Sequence, residues 1–155
     1  MNNISLHSQL LRLKHMINSS RDATLFNLEM QSHWACYICI RAAGFLENSI
    51  KELFSSYIRG KANENVANFA IRQLDSINNP KTKKFIEVAN CFSKEWAADI
   101  QNFSDSNGYG YAIDAIMTNR HQIAHGKDSS ITVTRLQDYL DRSVKLLEYI
   151  ETVCK

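Results

Sequence analysis

The chain has 155 residues, 45% of them hydrophobic and 22% charged, with a formal net charge of +2 at pH 7. That length supports one domain whose core needs no disulfide or metal staple, and the composition excludes global disorder. The charge is too small for a protein that coats DNA, though it permits a nucleic-acid partner. One proline and five glycines are too few for the turns of an all-β fold, and long apolar-periodic runs predict an all-α protein.

The first residues, Met1 to Met16, show no continuous apolar run and no small-residue cleavage site, which predicts no signal peptide. No apolar run is long enough to span a bilayer, so no membrane partner is expected. Four cysteines without a secretory signal predict reduced thiols and a cytoplasmic location.

Leu6, Leu10, Leu13 and Ile17 recur at helical spacing and predict a helix over 4–18. From Leu25 to Arg59 runs a long segment broken only by Gly44. Its apolar positions, among them Trp34, Ile38, Phe45, Leu46, Ile50 and Phe54, cover well over half of the helical circumference, which marks the central helix of a bundle. Gly60 suits the residue just past its end. Val66, Phe69, Ala70, Leu74 and Ile77 predict a helix over 63–78. Asn79 fits a cap and Pro80 the first turn of the next helix, over 80–102, with Phe85, Val88, Phe92, Trp96 and Ile100 inward. Residues 104–110 read as a loop. Tyr111 to His125 reads as a short helix stopped by Gly126, and Thr134-Arg135-Leu136-Gln137 as a capping box opening a last helix that turns Leu136, Leu140, Leu147, Ile150 and Val153 inward. The expected architecture is one all-α domain over 1–155, an up-down bundle of five to six helices around one long central helix.

The chemistry concentrates in Asn119-Arg120-His121-Gln122-Ile123-Ala124-His125-Gly126. At 100° per residue, Ile113, Ile116, Met117, Ile123 and Ala124 share an arc with Arg120 in its middle. An arginine in an apolar stripe is costly unless it is paired or faces an interface or ligand; Glu47 is a candidate partner. Asp114, Thr118, His121 and His125 line the flank, with the two histidines one turn apart. If Gly126 is the residue past the helix end, His125 sits where orphan carbonyls favour imidazolium. A fixed forked cation and one or two imidazoles suffice to cut RNA without metal. A base activates the ribose 2′-hydroxyl, the cation stabilises the phosphorane, and an acid protonates the leaving oxygen. The bland alternative is a capped helix end with a paired core arginine.

Arg120-x4-His125-Gly126, closing the helix before a capped final helix in an all-α chain, resembles the HEPN superfamily. The polar His121 after the arginine fits that pattern, and the Ile123-Ala124-His125-Gly126 ending resembles the RiboL-PSP-type HEPN ribonucleases of bacterial conflict systems. Phe45-Leu46-Glu47 on the long helix is similar to the family's second helix. The resemblance implies a homodimer with its two motifs facing each other across a two-fold axis. It further implies metal-independent endoribonuclease activity in a toxin or phage-defence system, with RNA as substrate and a cognate antitoxin or defence-system partner. By carry-over Arg120 and His125 are catalytic and His121 supports them. Some relatives carry a tyrosine two residues after the motif histidine; here Lys127 stands there, suited to an RNA phosphate. The alternative reading is a non-catalytic HEPN-type RNA- or nucleotide-binding adaptor.

His33, Cys36 and Cys39 offer a partial metal spacing, but Cys91 and Cys154 stand alone, so buried thiols fit better than zinc and no cofactor is expected. Trp34, Trp96, Phe85 and Phe92 could stack bases yet fall at core spacing. Lys81, Lys83 and Lys84 form a small basic cluster that reads as solvated surface or an RNA contact.

Overall fold

A computed structural model of the chain describes residues 3–23 and 27–154. Among these it shows α1 (Ile4–Ala23), α2 (Leu28–Lys61), α3 (Glu64–Asp75), α4 (Thr82–Phe92), α5 (Lys94–Asp105), a 3₁₀ turn at Ser106–Gly108, α6 (Tyr109–Ala124) and α7 (Val133–Val153). No strand occurs among the described residues, so the all-α bundle is the one the periodicity predicts. The long helix is central in fact. α2 packs against α1, α3, α6 and α7, burying Ile38, Ala42, Phe45, Leu46, Ile50 and Phe54. Leu25, the expected start of this helix, lies outside the described residues. Each large aliphatic side chain so buried contributes about 1.5–3 kcal/mol relative to its exposed state. α6 is gripped between α2 and α7, with Ile113, Ile116 and Met117 fully buried.

Several boundaries differ from the periodic reading. Gly60 lies inside α2, which runs to Lys61 and ends at Ala62 in an extended conformation. The single helix expected over 80–102 is two helices: Ser93 adopts extended dihedrals and its hydroxyl accepts the Trp96 N–H, ending α4 and capping α5. Asn79 does not cap. It takes a left-handed φ of 49°, which asparagine tolerates, and α4 begins after Lys81. Its first N–H, on Thr82, is accepted by Asp114 of α6 at 2.7 Å, a tertiary carboxylate cap at the positive end of the helix dipole. The cap of α7 is Thr132 rather than Thr134, its side chain accepting the Arg135 N–H at 3.2 Å. Ile131 before this cap and Leu136 at the fourth helical position are both buried, the arrangement of a hydrophobic staple.

Gly110 fixes how α6 enters the bundle. A Cβ there would stand 2.9 Å from Thr82 Cγ2 and 3.3 Å from the Ser104 carbonyl oxygen. Thr82 cannot retreat, because its hydroxyl donates to the Gly110 carbonyl at 2.7 Å and its N–H is held by Asp114. Gly110→Ala is therefore expected to destabilise the fold by about 1–3 kcal/mol, the cost of overpacking a rigid contact, despite the better helix propensity of alanine. A denaturant midpoint at or above that of the parent would show that the contact yields.

Candidate functional site

The last turn of α6 leaves the core. Ile123 is half-buried, and Ala124 and His125 are exposed. The helix ends in a Schellman motif, which gives two orphan carbonyls their partners. The Gly126 N–H donates to the Ile123 carbonyl at 3.1 Å and the Lys127 N–H to the Gln122 carbonyl at 3.0 Å, with Gly126 at a φ of 65°. His125 is thereby the C-cap residue, and its ring lies edge-on to that of His121 with centroids 4.3 Å apart. Both imidazoles face solvent, and neither side chain is hydrogen-bonded to another described residue.

Arg120 is half-buried on the other side of the helix. It lines a pocket of about 280 Å³ with Ile40, Gly44, Glu47, Asn79 and Met117. Glu47 is engaged elsewhere: it lies 3.4 Å from Lys51 Nζ and accepts the Asn79 N–H at 3.0 Å. No described carboxylate lies within ion-pair distance of Arg120. The side-chain oxygen of Asn79, lining the same pocket, is buried without a hydrogen-bond partner. A forked cation and an orphan acceptor thus border one opening. The α2 wall beside it exposes Tyr37 at 48% and Ile40 at 43%.

The loop after the site is tied back to α6. Asn119 donates through Nδ2 to the Ala115 carbonyl at 2.8 Å, and its Oδ1 accepts from the Ser129 hydroxyl at 2.8 Å. The Ser129 oxygen in turn accepts the Ile131 N–H at 3.4 Å. This clamp positions the Gly126–Ser130 segment, on which Lys127 is exposed. Asp114, aligned with the histidines by spacing, is committed to α4 and takes no part at the histidine end.

The structure brings His121 and His125 together and sets Arg120 on a neighbouring face. The clamp residues Asn119 and Ser129 were not foreseen from the sequence, because their bond joins a helix to a loop whose path no local pattern states. Cys36, Cys39 and Cys154 pack in or against the core, whereas Cys91 is exposed. Burial, with a lesser contribution from Cys36, pushes the Cys39 thiol up to about 12, and burial alone pushes Cys154 up to about 12. Both stay protonated and unreactive at neutral pH. No cluster of three metal-ligating side chains occurs among the described residues. Phe92 stacks on Phe54 and Trp96 meets Tyr57 edge-on; Trp96 packs against the core, while Phe92 stays 38% exposed at its edge. No helix among the described residues is long and apolar enough to cross a membrane.

An all-α bundle whose penultimate helix ends in Arg-x4-His-Gly, with its two histidines paired at that end, has the fold and motif of a HEPN protein. The chain belongs to the RiboL-PSP-HEPN family, whose model matches residues 3–155, and the HEPN class is associated with nuclease and RNA-related function. No curated protein and no solved structure was found to match it.

Proposed function

We propose that the chain is a metal-independent endoribonuclease that works as a homodimer, as a toxin or defence effector within a single HEPN domain spanning 1–155. The observation that carries this reading is the state of Arg120, a half-buried guanidinium with no carboxylate partner among the described residues, on the same helix end as two exposed imidazoles. Five residues on a helix separate Arg120 and His125 by about 140° around the axis. One protomer's pair therefore points to two sides, and a second copy seated on the Ile40–Gly44 face of α2 completes a site that uses both groups. In that site an imidazole takes the 2′-hydroxyl proton, the guanidinium holds the charge on the phosphorane, and an imidazole protonates the leaving 5′-oxygen. Lys127 meets a flanking phosphate.

One observation favours a second reading, the non-catalytic adaptor. Neither histidine ring has a hydrogen-bonded orienting group among the described residues, whereas an acting base is usually held by a third residue. In the adaptor reading the same groups grip an RNA phosphate without turnover. Tight RNA binding by a dimer that never cuts would select it.

Gly44 tests the seam. A Cβ there meets nothing within 4 Å, so Gly44→Gln is expected to leave the protomer as stable as the parent or slightly more so, since glutamine is the better helix former. It is also expected to weaken the dimer roughly ten-fold or more by overpacking the interface, with cleavage falling in step. Analytical ultracentrifugation beside a cleavage assay reads both. A full-strength dimer with parental activity would move the seam elsewhere.

A further inference from the structure

From His125 a line of exposed and half-buried residues runs back along α6, and beyond the histidine the proposed cleavage site uses none of them. At 100° per residue, Tyr111, Thr118, Gln122 and His125 fall within about 60° of one another, so one stripe runs from the histidine end back to the start of the helix. At its far end Tyr111 is 63% exposed, a large aromatic ring that helps build no core. From α7, Tyr139 meets that ring edge-on at 6.0 Å. Hydrogen bonding to Tyr111, then burial, raises the Tyr139 hydroxyl above its ordinary range.

Cations border the stripe. Arg142 lies 5.5 Å from the centre of the Tyr139 ring but is paired with Asp138. Arg135, one turn before Tyr139 and so closer to the histidine end, is exposed and has no ion-pair partner among the described residues. On the other side of Tyr111 a groove of about 470 Å³ runs between α4, α5 and α6, lined in part by Thr82, Lys83 and Gln101. Of the acidic groups nearest the stripe, Asp138 is paired with Arg142, while Asp114 accepts the Thr82 N–H and Asp105 accepts from Gln101, both neutral donors. Lys83 is paired with Glu87, so the stripe offers one exposed ring, Tyr111, beside one unpaired cation, Arg135; a face to stack a base and a charge to meet a phosphate are what sequence-tolerant binding of single-stranded nucleic acid needs.

We propose that this stripe, with Tyr139 and Arg135 of α7, is a track for single-stranded RNA, with one base stacked on Tyr111 about 21 Å along the helix axis from His125. The proposal rests on RNA being the substrate of the histidine end, and it assigns the distal part of that substrate a binding site of its own. Arg135 takes a backbone phosphate between the two ends.

The test uses the His125→Ala protein, which is expected to hold RNA without cutting it, and a labelled single-stranded oligonucleotide of about twelve nucleotides, a length within the range such sites cover. Adding Tyr111→Ala is expected to weaken binding roughly ten-fold, the size of one lost base–aromatic stack, whereas Tyr111→Phe keeps the stack and the affinity. Adding Arg135→Ala is expected to reduce the slope of log affinity against log salt by about 0.7, the release of one counterion from a single strand. In the protein with His125 intact, Tyr111→Ala raises KM for the long RNA and leaves kcat and the cutting of a dinucleotide unchanged. Equal affinity of the Tyr111→Ala and parent proteins for the long RNA would overturn the track and leave the face to a protein partner. Should the parent cut no RNA, the ribonuclease reading fails by itself, and Tyr111-dependent binding would still uphold the track. Absence of RNA binding by the parent would overturn both.

Discussion

His125→Ala is expected to lower RNA cleavage by roughly 10²- to 10⁴-fold, the range that one general acid or base supplies, while the fold and the dimer persist. The structure separates the two effects. The end of α6 is held by backbone bonds from the Gly126 and Lys127 amides, not by the imidazole. The side chain is exposed and makes no hydrogen bond to a described residue, so its removal is expected to change stability by no more than about 0.5 kcal/mol. Unfolding curves that superimpose on the parent, with activity lost, are the expected pair of results. Full activity in the variant would remove His125 from the reaction.

Arg120→Ala is expected to cost roughly 10²- to 10³-fold in cleavage, the value of one charge-stabilising donor in a transition state. Stability again separates the readings. A core arginine paired with a carboxylate would leave a buried charge behind and destabilise by about 3–5 kcal/mol when removed. Among the described residues Arg120 has no such partner, Glu47 being bound to Lys51 and the Asn79 amide, so the expected change is small. Arg120→Lys keeps the charge but not the fork and is expected to fall between alanine and the parent. Mixing the two dead proteins, Arg120→Ala and His125→Ala, tests the composite site. If each site takes its arginine from one protomer and its histidine from the other, mixed dimers carry one intact site, and activity reappears on subunit exchange. A mixture as inert as its components would place the whole site within one protomer.

What the sequence could and could not convey divides along the range of the interactions. The helices expected over 4–18 and 25–59, found as Ile4–Ala23 and Leu28–Lys61, were legible apart from their ends because Leu6, Leu10, Leu13 and Ile17, and later Ile38, Phe45, Ile50 and Phe54, repeat on one side and are buried as that repeat requires. The break at Ser93 was not read because Phe92, Trp96 and Ile100 stay in helical step across it, so the periodicity does not register the cap. The start of α4 escaped for a different reason. Its cap is supplied by Asp114, 32 residues further along, and Asn79 turns the chain instead of capping it. The positions of His121, His125 and Gly126 were legible because helix geometry alone relates them. The surroundings of Arg120 were not, since Ile40, Gly44 and Asn79 reach it from other elements. Tyr111 shows the limit from the other side: its ring falls outside the apolar arc of α6, yet only the packed structure shows it exposed beside Tyr139 and Arg135.

Metal-independent cutting of RNA by 2′-hydroxyl attack is tested most directly by the chemistry of the new ends. Purified protein and single-stranded RNA are incubated in excess EDTA, and the fragments are resolved by mass spectrometry. Fragments ending in a 2′,3′-cyclic phosphate and beginning with a 5′-hydroxyl are expected from the parent and not from His125→Ala. Cleavage abolished by EDTA, fragments bearing a 5′-phosphate, or equal yields from the parent and His125→Ala would contradict that expectation.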